Sequence, residues 1–358
     1  MEECLYFSDI NPTNIFICKL LVDPYNKHKL NYNEGDTIKL DIVHKWNITE
    51  FDAVIGNPPY NEDPDNTDDP HMKPIYQDWI YKFTKLSPIL LFITPSKWFS
   101  SQDTLLIELR NYIKTCNVEF ITHFPNDDVF KNVKIKGGVS YYIINRFYEG
   151  VTKFNGVEID INKYDIILEP QFYKLIENLD TNGHFEHTLD SVYCSQGTFL
   201  NSKTEKEVTT VSTNGIPCLV SKSKGLKRYI PTDKITKDYK YWKVATPAAA
   251  YKGSSGFADI YILTDGEVHS RSYISFKVDS KHEADSLYSY MKCKLPHVLL
   301  STRKITHNLC NSSVFKWIPL VPLDRQWNDT MLFEYFKFDN DIINMISEMV
   351  VEGSYTRA

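Results

Sequence analysis

Short apolar runs alternate with amphipathic stretches through the first 150 residues of this chain. Cys4 to Ser8 reads as a short strand ending at Asp9. Pro12 then opens an apolar-periodic segment through Val22, as expected for Pro in the first turn of a helix. Ile38 to Ile42 gives a second short strand and Phe51 to Ile55 a third; the third lies in a largely apolar run, hence expected to be buried, and it stops at Gly56. Asp63 to Asp69 reads as an acidic, Pro-containing loop. The rhythm continues with a helix over Pro74 to Leu86, a strand over Ile89 to Thr94, a helix over Thr104 to Lys114, a strand over Val118 to Phe124 and a longer strand over Val139 to Phe147. Strands alternating with helices predict a parallel α/β sheet, in which ligands sit at the carboxyl ends of the strands. Asp9, Asp41 and Asn57 each fall at such an end.

Beyond residue 150 the rhythm changes, with Gly150 and Gly156 bracketing a weak boundary. Residues 166–182 read as helical, short strands and turns dominate 190–278, residues 280–310 are helical again, and Asn328 to Val350 carries two short helices. Two domains are expected, 1–150 and 151–358, consistent with a chain of 358 residues.

Composition narrows the class. No run of about 18 apolar residues is present, so no membrane span is expected, and the start Met1-Glu2-Glu3-Cys4 is not a secretory signal. Seven Cys without a CxxC pair fit a reducing interior, and the His do not cluster with Cys at metal-ligand spacing, so no metal is expected. A cytoplasmic location follows, bacterial or in a host cell if a phage or virus encodes the chain. The net charge is −6, but its distribution is uneven: residues 219–310 hold 16 Lys plus Arg against 8 Asp plus Glu. That basic segment, interleaved with Tyr229, Tyr241, Trp242, Tyr251 and Tyr273, suits a phosphate backbone or, more plainly, a solvated charged face.

The chemistry concentrates at Asn57-Pro58-Pro59-Tyr60. Prolines fix φ and carry no N–H, so the loop is stiff and rich in acceptors. The Asn57 amide oxygen and the Pro58 carbonyl can hold the two hydrogens of a planar exocyclic amine, while the Tyr60 ring can stack on the base that carries it. Asp9, in Phe7-Ser8-Asp9-Ile10-Asn11-Pro12, can accept both hydroxyls of a ribose or cap the following helix. Asp41 can take an adenine amino group or simply face a loop.

In their order and short spacing, Asp9, Asp41 and Asn57 resemble successive motifs of the N6-adenine DNA methyltransferases of restriction-modification systems, the TaqI-like group above all. Leu91-Phe92-Ile93-Thr94-Pro95-Ser96-Lys97-Trp98 is similar to the strand-plus-Pro segment after that family's catalytic loop. Val129-Phe130-Lys131 with Lys136-Gly137-Gly138-Val139-Ser140-Tyr141-Tyr142 is similar to its late motif, whose aromatic residue, matched here by Phe130, packs on the extruded base. Ser280-Lys281-His282-Glu283-Ala284, Phe315-Lys316-Trp317-Ile318-Pro319 and Asp329 to Met349 loosely resemble its specificity regions. The resemblance implies a Rossmann-like methyltransferase sheet over 1–150 and a mixed α+β target-recognition region over 151–358. It implies S-adenosylmethionine as cofactor, bound through Asp9, Asp41 and Asn57, and double-stranded DNA as partner. Transfer would go directly to adenine N6, with Asn57, Pro58, Pro59 and Tyr60 catalytic and Tyr60 and Phe130 clamping the flipped base.

One departure stands out. The family's Gly-rich loop precedes its first acidic motif, yet only eight residues precede Asp9 here and none is Gly. A central first strand is therefore expected to come from elsewhere: upstream sequence, or a second chain of a split enzyme. Otherwise the chain is a DNA-binding specificity protein that has lost catalysis. A related enzyme could act on protein glutamine or on a base in RNA; the basic tail of about 200 residues argues against the glutamine enzymes, which usually end near the catalytic sheet. A cognate endonuclease would lie on another segment or chain.

Overall fold

Parallel pairing starts with the first two strands of the computed structural model, which describes residues 2–62, 73–125, 129–130, 135, 137–212, 214–220, 228–249, 256–304 and 309–349. The acidic loop read over Asp63 to Asp69 lies outside the described residues. The chain divides into two compact units: Met1–Ser96 with Glu108–Asp160, and Lys97–Ile107 with Ile161–Ala358.

In the first unit, β1 (Tyr6–Asp9) and β2 (Asn31–Glu34) pair in parallel, from Tyr6↔Asn31 to Asp9↔Glu34, joined by helix α1 (Pro12–Val22). They form a sheet of their own. Asn11 caps α1 by accepting from the Thr13 N–H at 2.9 Å, and Pro12 sits in its first turn. After the short helix α2 (Ile42–Trp46), the chain runs through β3 (Ala53–Gly56), α3 (Tyr76–Leu86), β4 (Ile89–Pro95), α4 (Thr104–Thr115), β5 (Val118–Phe124), β6 (Val139–Asn145), β7 (Thr152–Phe154) and β8 (Val157–Ile159). The last six strands make one sheet in the order β3-β4-β6-β5-β7-β8.

This sheet is mixed, not wholly parallel. β3 and β4 are parallel, but β6 runs antiparallel to both β4 and β5. The two strands are consecutive and pair from Phe124↔Val139, as antiparallel neighbours do, and the sequence between them carries no helical pattern of the kind that usually forms a parallel crossover. β7 and β8 form a hairpin turned by Asn155 (φ 48°) and Gly156 (φ 83°), the left-handed pair that a tight primed turn requires. The core follows the expected periodicities. α3 buries Tyr76, Gln77, Ile80 and Phe83 on one face, and the Phe83 ring meets Phe92 of β4 edge-on at 6.2 Å.

Two faces of this unit depart from that rule. α1 buries only Ile15, while Phe16 and Leu21 are 60% and 78% exposed. The run before Asn57, read as a buried strand, is an edge strand with Ile55 77% exposed. Among the described residues β1 pairs only with β2 and β3 only with β4.

In the second unit, α5 (Pro170–Thr181) is followed by β9 (Tyr193–Cys194), β10 (Gly215–Leu219), β11 (Tyr229–Pro231), β12 (Trp242–Pro247), β13 (Tyr261–Leu263), β14 (Val268–His269) and β15 (Tyr273–Val278). They build a four-stranded antiparallel sheet, β13-β12-β15-β9, and a three-stranded one, β11-β10-β14. Helices α6 (Lys281–Met291), α7 (Lys294–Arg303), α8 (Asp329–Tyr335) and α9 (Asn340–Glu348) complete it, α6 capped by Ser280, which accepts from Glu283 N–H at 3.2 Å. The core centres on Phe257, Phe276 and Phe315, with the last two rings edge-on at 5.0 Å. No helix among the described residues is long and apolar enough to cross a membrane.

Two consequences can be measured. A Cβ on Gly138 (φ +74°) would come within 2.2 Å of the Phe124 carbonyl, whereas one on Gly156 would meet nothing. Gly138→Ala should therefore lower the unfolding free energy from urea titration by roughly 2 kcal/mol or more, combining a left-handed backbone with a clash. Gly156→Ala should cost about 1 kcal/mol; equal costs would contradict the packing described.

The second concerns His269, fully buried with its ring nitrogens on Ser270 O (3.0 Å) and Ser275 Oγ (2.9 Å). Burial lowers its pKa from 6.5 to about 4. The unfolded chain thus takes up this proton first as pH falls, so the stability is intact above pH 6.5. It should decline by about 1.4 kcal/mol per pH unit from there towards pH 4. His269→Gln should flatten that part of the urea-midpoint profile, and a profile of unchanged slope would show that His269 is not its source.

Candidate active site

The Asn57–Tyr60 loop leaves the carboxyl end of β3, held beside β4 by the ladder from Ala53↔Ile89 to Gly56↔Phe92. Gly56 is needed for that approach: a Cβ there would come within 2.9 Å of the Phe92 ring. Asn57 and Pro59 are exposed, Pro58 is buried and Tyr60 is half-buried. The Tyr60 carbonyl accepts from Ile75 N–H at 3.2 Å, and Glu62 N–H donates to the Lys73 carbonyl at 3.0 Å, so the loop is closed at its far side by a short ribbon. The Tyr60 hydroxyl has no hydrogen-bond partner among the described residues, and burial pushes its pKa up to about 12. It is therefore a neutral phenol under ordinary conditions. The Asn57 amide makes no hydrogen bond among the described residues, which leaves its acceptor available.

Phe130 lies half-buried between β5 and β6. Its neighbours Lys131 and Lys136 in the late motif lie outside the described residues. No ring contact joins Phe130 to Tyr60 among the described residues. The far end of this segment is anchored at Gly137, whose carbonyl lies 3.2 Å from His123 Nε2, and at Gly138, whose carbonyl accepts from Ser96 N–H at 3.0 Å.

Asp9 ends β1 and is half-buried. Its carboxylate accepts from Asn11 N–H at 2.7 Å and from the Asn14 side-chain amide at 3.0 Å, so it braces the turn into α1, while Asn11 is the cap. Its carbonyl accepts from Gly35 N–H at 3.0 Å, joining it to the segment after β2. The expected strand over Ile38 to Ile42 is absent. The strand in this part of the chain is β2, at Asn31–Glu34, and Asp41 is the N-cap of α2, accepting from His44 N–H at 3.0 Å. Ile38, Leu40 and Ile42 alternate as a strand would, but Asp41 three residues before His44 offers the backbone a capped turn instead.

A polar network that the sequence did not announce ties these ends together. Ser8 Oγ lies 2.7 Å from Thr37 Oγ1, Asn33 donates to Ser8 Oγ at 3.0 Å, and Lys45 Nζ donates to Asn33 Oδ1 at 2.9 Å. Beside it opens a cleft of about 580 Å³ lined by Asn33, Asp36, Lys39, Leu40, Asp41, His44 and Lys45. Asp9 thus sits at the carboxyl end of β1, and Asp41 at the start of α2, on the segment that follows β2. Tyr6 of β1 packs on Trp46 and Phe51 at 5.1 and 5.6 Å, which keeps that pair of strands beside the approach to β3.

The basic segment needs a correction. Of its cations, Lys243, Arg303 and Lys304 are buried. Lys243 Nζ donates to the carbonyls of Tyr239, Tyr241, Thr264 and Glu267 at 2.6–3.3 Å, and burial lowers its pKa to about 8. Arg303 holds Asp165 in a two-pronged pair at 2.8 and 2.6 Å over the Trp317 ring. These groups organise loops and cannot meet phosphates. Lys237, Lys240, Lys277, Lys281 and Lys292 remain exposed.

Residues 3–130 match the Eco57I restriction-modification methylase family. The chain is 27% identical over 175 residues to an uncharacterized adenine-specific methylase of Mycoplasma pneumoniae, a match covering 46% of this chain and 41% of that protein. The chain therefore spans about two fifths of the length of that relative. Among solved structures it is similar to the type IIL restriction-modification enzyme MmeI in complex with DNA (TM-score 0.44, 9% identity, 80% of this chain and 48% of MmeI). It is also similar to the type IIG restriction endonuclease BpuSI (TM-score 0.39, 12% identity, 98% of this chain and 58% of BpuSI). At these scores the structural likeness is partial. The likeness to restriction-modification methylases read from Asp9, Asp41 and the Asn57–Tyr60 loop is thus found again over residues 3–130, the segment in which all of those residues lie.

Proposed function

We propose that this chain is the catalytic and target-reading part of a DNA methyltransferase that modifies adenine N6 in a restriction-modification system. The observation that carries this reading is the Asn57-Pro58-Pro59-Tyr60 loop at the free end of β3, with an unengaged amide and a half-buried ring. Asn57 Oδ1 and the Pro58 carbonyl accept the two hydrogens of the extruded adenine's amino group and favour the positive charge that develops on nitrogen. The prolines hold these acceptors still, so little reorganisation is needed as the bond forms. Tyr60 stacks on the base from one side, and Phe130 is the candidate for the other.

The residues present fit the adenosine half of S-adenosylmethionine. Asp9 offers carboxylate acceptors for ribose hydroxyls, and Asp41 offers an exposed carboxylate on the cleft wall for the adenine amino group. The cofactor, when bound, supplies the activated methyl group. Double-stranded DNA is the partner, contacted through the exposed lysines of 219–310, with the groove-reading residues in the region 151–358.

A second reading, a chain that works only when completed, is favoured by the outer edges of β1 and β3, unpaired among the described residues, and by the uncovered Phe16, Leu21 and Ile55. A further strand and helix, from another segment or from a second subunit, would pair those edges and cover those side chains. A cognate endonuclease is the other partner this reading includes.

Asn57→Ala and Tyr60→Ala should each lower methylation by about 100-fold or more, while DNA affinity by fluorescence anisotropy stays within about twofold. Loss of DNA binding in a folded Asn57→Ala protein would contradict that division of labour. By calorimetry the chain alone should bind S-adenosylmethionine with a Kd above about 100 μM. A strand–Gly-rich loop–helix segment, fused or added in trans, should tighten it and raise the unfolding midpoint. Micromolar affinity of the chain by itself would refute the need for completion.

A further inference from the structure

Lys82 projects from α3 and uses all three of its ammonium hydrogens on one short segment. It donates to the carbonyls of Thr37, Ile38 and Leu40 at 2.9, 2.8 and 2.8 Å. These residues immediately precede Asp41 and are otherwise outside any strand or helix. A trans peptide is planar, with its C=O and N–H on opposite sides. Carbonyls 37, 38 and 40 converge on the ammonium, so the N–H groups of Ile38, Lys39 and Asp41 turn away from it. The first is taken by Asp36 Oδ1 at 2.9 Å. Those of Lys39 and Asp41 have no acceptor among the described residues, and both residues line the cleft. At Asp41 the cleft wall therefore offers a carboxylate acceptor and a backbone donor side by side. A heteroaromatic base edge needs that pairing of acceptor and donor.

We propose that Lys82 is a positioning residue for nucleoside binding, holding the Thr37–Leu40 segment from behind so that Asp41 presents its acceptor and donor to the cleft. This rests on the cofactor reading given above. The carboxylates that face Lys82 are those of Asp36 and Asp41, which oppose the lowering of its pKa by burial. Lys82 touches neither ligand nor reacting atoms, and it acts through the loop. An Arg can reach the same carbonyls with several N–H groups, whereas Met keeps the bulk and loses every donor.

The test uses the chain of residues 1–358 with adenosine, which carries the base and ribose but no methionine end, titrated at millimolar concentrations by NMR. Amide exchange of residues 37–45 is measured alongside, with the α3 amides of Trp79–Phe83 reporting on the fold. In Lys82→Met, exchange over 37–45 should rise about tenfold and adenosine affinity should fall about tenfold. The α3 amides and the unfolding midpoint should stay as in the wild type. Lys82→Arg should recover most of the affinity. If Lys82→Met loosens α3 as well, Lys82→Gln, which keeps one donor, must fall between wild type and Met in affinity, or the proposal fails. Adenosine binding that is equal in Lys82→Met and wild type overturns the role of Lys82 and leaves the cofactor reading standing. A wild-type chain silent to adenosine, with Asp41→Asn equally silent, overturns the cofactor reading and this inference with it.

Discussion

The parallel ladder between β3 and β4 is the constraint on which the candidate site depends. Four residues, Ala53 to Gly56, hold the near side of the Asn57–Tyr60 loop to its unit through one edge, because among the described residues β3 has one partner. An edge strand this short has little hydrogen bonding in reserve, so packing must complete the job. Gly56 lies directly on the Phe92 ring, Phe92 meets Phe83 of α3, and Pro58 is buried where the loop leaves the strand. The stiffness that two prolines give the loop is useful only because this contact fixes where the loop begins.

Buried and half-buried cations recur as organisers of irregular backbone. Lys82 gathers three carbonyls in the first unit, Lys243 gathers four in the second, Lys304 holds the Gly256 carbonyl and Arg303 holds Asp165 and the Ser313 carbonyl. Carbonyls that no strand or helix can satisfy are costly to bury, and an ammonium with three hydrogens satisfies several at once. The desolvation involved is visible in the lowered pKa values of Lys82, Lys243 and Lys304. This explains why counting charges along 219–310 overstated the surface available to phosphates.

Much of the fold was legible in the chain because its elements obey local rules. Strand β5 at Val118–Phe124 begins and ends where the apolar pattern does, and α6, α8 and α9 start at Ser280, Asn328 and Asp339, whose side chains cap them. The failures are equally physical. Ile38 to Ile42 has a strand's alternation, but the capping carboxylate of Asp41 and the carbonyl grip of Lys82, 44 residues from Ile38 in sequence, decide for a turn and a helix. Gly156, taken for a boundary mark, is half of a hairpin turn. The direction of β6 agrees with the lack of a helical pattern in the sequence before it, a signal that was present and outweighed by the βα rhythm. At the site, the order Asp9, Asp41, Asn57 was readable because motif residues sit next to chain-local landmarks. Ser8, Asn33 and Lys45 were not, since a polar residue at a strand end carries no mark of its distant partner.

The uncovered face of α1 has a bearing on how this protein is maintained. A helix that shows Phe16, Ile17, Leu20 and Leu21 to water offers the kind of surface that chaperones hold and proteases follow. On the reading in which a further segment or subunit completes the sheet, covering that face would remove the exposure, and the level of folded protein would follow the supply of the covering piece.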